Sequence, residues 1–364
     1  MNFKFFLKKS FYSFLGHNKR FNTNQKNLII KSENKNWVLN QLANEYKKVF
    51  SNIFNYISLD EKDIYFSENI HLFIMSKYYA LENLHNFKNK VYFPFFHGIS
   101  DLAEFKKNII FIKKNLSKIS KIQVSNSLIE NSFLENGIPK DKFMRIPITV
   151  DLNKFDLVQN VKKKDVREQY NIPKSSFVIG SFQKDGDGWG RGNNPKFIKG
   201  PDIFIKTIQI LKKHIPEIFV LISGPSRGYV VRNLNKLKIP YKYLNFSNYD
   251  DLIRLYKCLD VYLVCSREEG GPRAIMESFA SKIPLVTTNV GQAVDMIKNN
   301  YNAFKSDEIN EETLANLIFS KVYKKDDKLE EIIKNAYITA KNNSYKSQIN
   351  LWENFFDLKE EKIK

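Results

Sequence analysis

The sequence is 364 residues long, carries a net charge of +19 and is 43% hydrophobic. This length exceeds one ordinary hydrophobic core and predicts two domains, and the apolar content excludes an intrinsically disordered chain. No apolar run reaches the roughly 18 residues that a membrane-spanning helix needs, and the start has no signal-peptide pattern. Cys258 and Cys265 are its only cysteines. They exclude a disulfide framework and a zinc knuckle and fit a reducing cytoplasm.

The positive charge is concentrated at the N-terminal end. The first 50 residues hold ten lysines or arginines against two acids, whereas the last 64 hold eleven against twelve, so this excess needs its own explanation. Nucleic-acid binding is one hypothesis, but no helix-turn-helix, zinc finger or aromatic RNA-binding signature accompanies the charge. An anionic membrane surface is a second hypothesis, and a solvated basic surface is a third. The second fits a helix over residues 3–15, whose lysines at 4, 8 and 9 would avoid an apolar face made by Phe3, Leu7, Phe11, Phe14 and Leu15.

Between residues 27 and 150, short apolar runs alternate with longer segments of helical spacing. The predicted strands are NLII, DIYFS, KVYFPFF, KIQVS and KFMRIPITV, and NWVLNQLANEYKKVF is a predicted helix. Strands that alternate with helices predict a mostly parallel sheet covered on both faces.

A second unit of the same kind follows residues 152–175, which are polar and charged and are interpreted as a link. Its predicted strands are SFVIGSF, IFVLISG, YKYLNF, VYLVC and IPLVTT, with a helix from Pro201 to about His214. The predicted fold class is α/β, with two doubly wound Rossmann-like domains, residues 1–155 and 156–344, that face each other across a cleft. A final helical segment, residues 345–364, is predicted to pack back on the first domain.

The loop after SFVIGSF is rich in glycine. In GSFQKDGDGWGRGNNPKFIKGPD a strand precedes the loop and a helix follows it, a position where backbone N–H groups and the helix dipole can hold phosphate. The glycines from Gly186 to Gly192 alternate, and Lys199 and Gly200 precede the helix. This spacing departs from the dinucleotide fingerprint and from the Walker loop. Two interpretations remain: a long mobile loop that ends in Lys199, or an ordinary surface loop.

The segment SREEGGPRAIMES places acids where a strand ends. VYLVC predicts the strand and IMESFASK the helix, with Gly270 and Gly271 in the turn at the edge where parallel sheets bind ligands. Glycines let backbone amides approach a ligand closely. Glu269 would lie in the turn and Glu277 about one turn into the helix, and carboxylates accept hydrogen bonds from the diols of sugars and riboses. Helix capping, at about 0.3 to 1 kcal/mol, is the alternative, but it explains only one of the three acids.

The segment EGGPRAIMESFASKIPLVTTNVGQAVDMI resembles the signature region of the retaining, nucleotide-sugar-dependent glycosyltransferases of family 4, which have the GT-B fold. The mark of that family is a Glu-x7-Glu pattern, and its register here is Glu269 and Glu277, because Met276 is the residue eight past Glu268. Other segments follow the family's order and spacing: VSNSLIENSFLENGIPKDKFMRIPITVDLNKF, IKGPD, FVLISGPS and LIRLYKCLDVYLVCSREEG. The resemblance covers the second unit and part of the first.

The resemblance implies roles for individual residues. Glu277 would hold the ribose hydroxyls of the donor, and Glu269 the hydroxyls of its sugar. Lys199 would neutralise the departing diphosphate, and His97 would line the donor-sugar pocket. We therefore expect Glu277→Ala and Lys199→Ala each to abolish transfer and leave the fold intact. The other residues implied in donor binding are Gly224 and, through their backbone amides, Gly270, Gly271 and Arg273.

The sequence departs from the family pattern in two places. The family pairs the lysine with an arginine just after the first strand of this unit, where the present chain reads GSFQK. Either Lys184 replaces that arginine or Gln183 leaves its place uncharged. Family members also open with a strand and a glycine-rich loop near the acceptor, where this chain has SENKNW, residues 32–37.

The implied mechanism is front-face substitution, in which the departing phosphate takes the acceptor proton while Lys199 and helix amides stabilise its charge. No metal or other cofactor is expected, although Asp185 and Asp187 have the spacing of a metal-binding element. The implied partners are a UDP-, GDP- or ADP-sugar and a glycan, lipid-linked or small-molecule acceptor, with no nucleic acid. The expected setting is cell-envelope polysaccharide or lipopolysaccharide synthesis in the cytoplasm, with residues 1–20 on the inner face of the membrane.

Two other functions remain as hypotheses. A nucleotide-sugar epimerase of the same fold would convert the donor without an acceptor. A non-catalytic basic protein that binds nucleic acid or a membrane surface would keep the fold but would not need the charges of Lys199, Glu269 and Glu277.

Overall fold

The computed structural model describes residues 3–15, 26–32, 38–66, 70–75, 89–96 and 103–358. The chain divides into two compact units. The first comprises Met1–Ser125, Ile129–Ile146 and Gln348–Lys364, and the second comprises Asn126–Leu128 and Pro147–Ser347. A search of the described residues finds no helix with both the length and the apolar character needed to span a membrane.

The first unit contains a six-stranded parallel sheet. Its strands are β1 (Asn27–Lys31), β2 (Tyr56–Ser58), β3 (His71–Ile74), β4 (Lys90–Phe95), β5 (Ile119–Val124) and β6 (Phe143–Arg145). Their order is β2-β1-β3-β4-β5-β6, and every pair is parallel. The helices over this part of the chain are α1 (Phe3–Phe14), α2 (Val38–Phe50), α3 (Ala103–Lys114) and α4 (Ser127–Glu135).

One face of this sheet is covered by an aromatic cluster to which the C-terminal end of the chain contributes. Helix α14 (Tyr345–Phe355) carries Trp352, which is fully buried and lies 5.1 Å from Tyr46 and 4.9 Å from Phe50, measured between ring centres. The carbonyl of Phe356 is bonded to Nε2 of His71, at 3.0 Å. Residues Gln348–Lys364 therefore belong to the first unit although they follow the second in sequence.

The predicted strand DIYFS is wrong. Residues Glu61–Phe66 form a 3₁₀ helix, and local polar side chains hold its first turn. The carboxylate of Asp60 accepts from the N–H of Lys62 at 3.0 Å, and Ser58 Oγ donates to Asp63 at 2.5 Å. The adjacent short strands β2 and β3, with three and four residues, were not predicted.

The second unit contains a second six-stranded parallel sheet. Its strands are β7 (Phe177–Phe182), β8 (Ile218–Ser223), β9 (Tyr241–Leu244), β10 (Val261–Val264), β11 (Leu285–Thr288) and β12 (Phe304–Ser306). Their order across the sheet is β12-β11-β10-β7-β8-β9. From the neighbours β7 and β10, the strands that follow in sequence are added outward on opposite sides, so the topological switch point of this doubly wound sheet lies between β7 and β10. Strand β12 was not predicted, whereas the other five were. The predicted α/β class with two doubly wound units is confirmed.

Helices cover both faces of the second sheet. They are α5 (Leu152–Asp156), α6 (Lys163–Gln169), α7 (Pro201–Lys212), α8 (Gly228–Lys236), α9 (Tyr249–Tyr256), α10 (Arg273–Ser281), α11 (Ala293–Met296), α12 (Glu311–Leu317) and α13 (Leu329–Asn342), with a π-helix at Ile318–Tyr323. Side chains of α9 and α10 pack in the apolar cluster of one face, and those of α7, α8 and α12 in the cluster of the other. Alternating residues of the central strands fill both clusters, as expected for a sheet buried on both sides.

The segment interpreted as a link, residues 152–175, is part of the second unit, whose long segment begins at Pro147 rather than after residue 155. Helices α5 and α6 bury Phe155 and Val166 in its core. Arg167 is also buried; it donates to the carbonyl of Cys258 at 3.0 and 2.8 Å and to Asp260 at 2.7 Å. The charged residues of this segment suggested an exposed link, but Arg167 can be buried in the core because its guanidinium is paired.

Candidate active site

The carboxyl ends of β7 and β10 lie side by side at the switch point. Val261 and Tyr262 of β10 pair with Ile179 and Gly180 of β7. Residues 183–200 connect β7 to α7, and residues 265–272 connect β10 to α10, so both loops leave the same edge of the sheet. Since ligands of such sheets bind outside the carboxyl ends at this point, the two loops form the candidate site.

The two loops bring Lys199 and Glu269 together, and we call these two residues the lysine pair. Lys199 Nζ donates to Glu269 Oε2, and Ser266 Oγ donates to Oε1 at 2.8 Å. The Lys199 side chain is 26% exposed and that of Glu269 is 10% exposed. An ammonium and a carboxylate that solvent can reach are thus held at the switch point.

Close packing of the loops positions the lysine pair. Gly200 has a φ of +65°, and a Cβ there would lie 1.8 Å from the carbonyl oxygen of Cys265, so no other residue fits without a shift of the backbone. The N–H groups of Arg267 and Glu268 both donate to the carbonyl of Ile198, at 2.8 and 3.1 Å. The Arg267 guanidinium also donates two bonds to Asp202, at 2.7 and 2.6 Å.

Glu277 lies in α10, is 5% exposed, and is held by a second group of residues. Tyr249 Oη donates to its Oε1 and Tyr256 Oη to its Oε2, each at 2.7 Å. Arg273 Nε lies 3.3 Å from Oε1, and the Arg273 guanidinium lies 4.5 Å from the centre of the Tyr249 ring. Burial, and then the charge of Glu277, raise the pKa of Tyr256 well above its ordinary value, so this phenol keeps the proton that it donates. We call Tyr249, Tyr256 and Arg273 the tyrosine clamp.

Gly270 and Gly271 form the predicted turn between β10 and α10. Gly270 is buried and its carbonyl accepts a bond from Asn126 Nδ2 at 2.5 Å, whereas Gly271 is half-buried. The carbonyl of Pro272 accepts from Gln292 at 3.2 Å, which fixes the start of α10. Arg273 is the first residue of α10, two residues before the predicted start at Ile275, and its side chain has a contact with Glu277 that the sequence did not indicate.

The glycine-rich loop, residues 183–199, is a folded hairpin, which we call the glycine hairpin. Gly186 and Pro195 form an antiparallel bridge, and the carbonyl of Gly192 accepts from the N–H of Tyr229 in α8 at 2.8 Å. A Cβ at Gly192, where φ is +72°, would lie 2.0 Å from the carbonyl of Ser226. The glycines of this loop are therefore not incidental, because they allow it to fold against the start of α8.

A buried ion pair under the glycine hairpin was missed. Arg227 and Asp185 have fully buried side chains, with Nε 3.0 Å from Oδ1. Arg227 also donates to the carbonyls of Ser181, Gln183 and Ser223, at 2.6, 3.1 and 2.9 Å. Burial raises the pKa of Asp185, against the opposing effect of Arg227. The arginine joins the ends of β7 and β8, and its only sequence signal is its place in SGPSR after a buried strand.

The remaining predicted residues lie around these groups. Gln183 Nε2 donates to the carbonyl of Lys199 at 3.1 Å, so this uncharged side chain helps to hold the backbone that carries Lys199. Lys184 Nζ lies 4.1 Å from the centre of the Trp189 ring, and burial followed by the charge of Lys196 lowers its pKa. Gly224 has a φ of +101°, and a Cβ there would lie 2.7 Å from the carbonyl of Gln183. His97 and residues 33–37 lie outside the described residues.

Comparisons with known proteins place this site in context. Residues 195–339 match the family model of the glycosyl transferases group 1. YtcC of Bacillus subtilis (strain 168) is 24% identical over an alignment of 241 residues that covers 62% of this chain and 56% of YtcC. A UDP-Gal:alpha-D-GlcNAc-diphosphoundecaprenol alpha-1,3-galactosyltransferase of Escherichia coli is 26% identical over 45% of this chain and 41% of its own length. The chain thus aligns with about half the length of these curated relatives.

The likeness to solved structures extends over most of the chain. HepE from Anabaena, solved in complex with UDP-glucose, superposes with a TM-score of 0.70 over 91% of this chain and 100% of that one, at 16% identity. This likeness confirms the predicted GT-B fold.

Proposed function

Because residues 195–339 match the family model of the glycosyl transferases group 1, we propose that this chain moves a sugar from a nucleotide-sugar donor to a glycan, lipid-linked or small-molecule acceptor. The observation that carries the proposal is the placement of the lysine pair at the switch point between β7 and β10. A leaving diphosphate needs a cation, and a sugar needs acceptors for its hydroxyls. The lysine pair offers both within one contact.

The tyrosine clamp supports the role proposed for Glu277. A carboxylate has about four acceptor positions, and Tyr249, Tyr256 and Arg273 occupy three of them. The position that remains is on Oε2, where one ribose hydroxyl can donate. The clamp fixes the carboxylate in advance, so that binding the ribose does not have to order it.

Transfer follows from these positions in one substitution step. The acceptor oxygen forms a bond to the anomeric carbon as the bond from that carbon to the diphosphate oxygen breaks. The departing phosphate oxygen takes the acceptor proton, and Lys199 exchanges its contact with Glu269 for one with the diphosphate, whose charge it neutralises. Attack on the face that the diphosphate leaves retains the anomeric configuration.

The proposed mechanism needs no metal ion. The candidate metal element fails on geometry, because the Asp185 carboxylate is fully buried and paired with Arg227, while Asp187 is exposed. The two carboxylates therefore do not present a joint site to solvent. Transfer at full rate in EDTA is expected, and a loss that Mg²⁺ or Mn²⁺ restores would contradict this part of the proposal.

Helix α1 supports a membrane-surface role on the inner face of the cytoplasmic membrane. Tyr12 packs against the ring of Tyr65, with 5.4 Å between centres. The apolar side chains at positions 7, 11, 14 and 15 are 54%, 59%, 89% and 53% exposed, and their spacing places them on one side of the helix. An apolar face beside Lys8 and Lys9 fits an anionic membrane surface, where a lipid-linked or envelope glycan would be reached.

The test of this membrane role is co-sedimentation with vesicles. We expect the chain to sediment with phosphatidylglycerol vesicles and not with phosphatidylcholine vesicles, and Phe11→Ser with Phe14→Ser to abolish sedimentation. Leu157→Ser, which replaces an apolar side chain 82% exposed elsewhere, is the matched control. Unchanged sedimentation of the double variant would refute the role of α1.

The test of the activity begins with the donor. We expect UDP-sugars, the class seen with HepE and named for the E. coli relative, to raise the melting temperature more than GDP- or ADP-sugars. A ligand that binds only the folded state raises the melting temperature more, the more tightly it binds. Incubation with a radiolabelled donor and candidate acceptors then measures transfer, and NMR of the product gives the anomeric configuration. Conversion of the donor without an acceptor would show an epimerase instead.

A further inference from the structure

The second unit has a cavity on the other side of its sheet from Glu277. It measures about 630 Å³ and is lined by the glycine hairpin, by α8 and by the end of β9. Tyr249 and Tyr256 of the tyrosine clamp pack in one apolar cluster of the sheet, whereas Val231, which lines the cavity, packs against the other. Lys199, Glu269 and Glu277 do not line it. The cavity is therefore separate from these three charged residues, although it adjoins Gly224, whose carbonyl accepts from Tyr243, and Lys184, which packs on the Trp189 ring.

Two exposed aromatic side chains line this cavity. Trp189 is 53% exposed and Tyr243 is 39% exposed. Both rings are held: Lys184 Nζ lies 4.1 Å from the centre of the Trp189 ring, and Tyr243 Oη donates to the carbonyl of Gly224 at 2.9 Å. Fixed aromatic faces at the wall of a cavity suit a ligand with flat C–H surfaces, as pyranose rings have.

The cavity is also positively charged. Arg191 and Arg232 line it, and its lining, all of which lies in the described part of the chain, includes no aspartate or glutamate. Arg232 donates to the carbonyl of Asn193 at 3.0 Å, which uses one of the five N–H groups of a guanidinium. The amides of Asn235 and Asn245 add donors and acceptors for hydroxyl groups.

The positive charge comes from side chains and not from the start of α8. The N–H groups of Gly228 and Tyr229 donate to the carbonyls of Arg191 and Gly192, each at 2.8 Å, so the glycine hairpin already occupies them. An anion in the cavity would meet the guanidinium groups. Trp189, Arg191 and Asn193 also precede the segment that matches the family model.

We propose that this cavity binds an anionic saccharide, a sugar or sugar chain that carries a carboxylate or a phosphate group. The aromatic rings contact the sugar faces, the guanidinium groups pair with the anion, and the asparagine amides bond to hydroxyls. This inference rests on the cavity alone and does not require that the chain transfers sugars.

The test is isothermal titration of the full-length chain with three probes: a galacturonate hexamer, glucose 1-phosphate and neutral maltohexaose. We expect one or both of the anionic probes to bind, at least about tenfold more tightly than maltohexaose and more weakly as salt is raised. The first anionic probe represents acidic glycans, and the second represents phosphorylated sugars. If neither anionic probe binds, or if maltohexaose binds equally well, the proposal is wrong.

Variants locate the binding. Trp189→Ala and Arg232→Ala each remove an exposed side chain and should weaken the anionic probe at least about tenfold, with unchanged melting temperatures. Lys236→Ala, which removes an exposed cation of the same helix outside the cavity, and Lys199→Ala should bind as the original chain does. Binding that is lost in Lys199→Ala and kept in Arg232→Ala would place the probe in the active site and overturn the proposal. If these titrations succeed but no sugar transfer is found, only the proposed function fails.

Discussion

The lysine pair and the tyrosine clamp hold the two acids of the Glu-x7-Glu pattern in opposite ways. Glu269 meets one ammonium and one hydroxyl, and the partner that carries the ammonium, Lys199, is 26% exposed. Glu277 is 6% exposed at its side chain and is surrounded by two phenols and a guanidinium that is itself 10% exposed. A charge that must change partner during a reaction has to remain accessible, whereas a charge that only orients a ligand gains from being fixed.

The difference also separates function from stability. Solvent reaches Lys199, which is 26% exposed, and exposed ion pairs contribute roughly 0 to 1 kcal/mol to folding, so removing Lys199 should cost less stability than removing a residue of the tyrosine clamp. Removing one partner from a buried charged group leaves the others uncompensated, which costs roughly 3 to 5 kcal/mol. Removing Lys199 should therefore lower activity with little loss of stability, whereas removing a residue of the tyrosine clamp should lower both.

The largest expected effect is that of Lys199→Ala on transfer. Loss of the cation that meets the leaving diphosphate should lower kcat by about 10² to 10³-fold, the range measured when one preorganised charge-stabilising donor is removed. The free energy of unfolding should change by less than about 1 kcal/mol. Lys206→Ala, which removes a surface lysine paired with Glu311, is the control and should leave kcat unchanged. A Lys199→Ala enzyme with full activity would remove the lysine from the mechanism.

Glu277→Ala should instead unfold more easily. Arg273 and the phenols of Tyr249 and Tyr256 would lose their common acceptor, and we expect the free energy of unfolding, measured in urea, to fall by about 4 kcal/mol. This expectation revises the one from sequence, that the variant keeps its fold intact, because the burial of Glu277 was not evident there. Glu277→Gln keeps one acceptor oxygen and should be more stable than Glu277→Ala, yet still bind donor weakly. Equal stability of Glu277→Ala and the original chain would show that the clamp is not a buried charged cluster.

The sequence indicated what local spacing can indicate. Short apolar runs predicted most strands, and the three charged residues were identified from the turn after a strand (Glu269), the Glu-x7-Glu spacing (Glu277) and the Lys-Gly pair before a helix (Lys199). The tyrosine clamp escaped because Tyr249 and Tyr256 reach Glu277 from another helix. Their separation of seven residues, which places both on one face of a helix, was the available signal.

Contacts between distant loops account for the other misses. Arg227 contacts Asp185 only because the ends of β7 and β8 lie side by side, and strand order is not encoded in any local pattern. The folding of the glycine hairpin against Ser226 likewise depends on contacts made across the edge of the sheet. Such contacts appear only once the sheet is assembled.

A comparison of two glycines tests how rigidly the lysine pair is positioned. Gly200 and Gly188 both have positive φ, +65° and +66°, but a Cβ at Gly188 meets no atom within 4 Å, whereas a Cβ at Gly200 meets Cys265 at 1.8 Å. Gly188→Ala should cost about 1 kcal/mol for its backbone conformation alone. Gly200→Ala should cost about 2 kcal/mol more, because the two loops must separate, and should also lower kcat. If urea unfolding gives equal losses for both, the packing of the loops does not hold Lys199 in place.

The smallest expected effect is the dependence of stability on pH that comes from the ion pair between Asp202 and Arg267, beside the lysine pair. Burial acts to raise the pKa of Asp202, but the hydrogen bonds and charge of Arg267 outweigh it, so that this pKa lies below its ordinary value. A carboxyl with a lowered folded-state pKa stabilises the fold above its unfolded pKa of about 3.9, and this contribution disappears as the pH falls through the lower, folded value. Asp202→Asn should therefore be less stable than the original chain at pH 7, by less than about 1 kcal/mol because the Arg267 side chain is 34% exposed, and this difference should shrink below about pH 4. In an Arg267→Ala background the difference should be smaller at pH 7 and less dependent on pH. If the difference keeps its full size in that background, Asp202 does not stabilise the fold through Arg267.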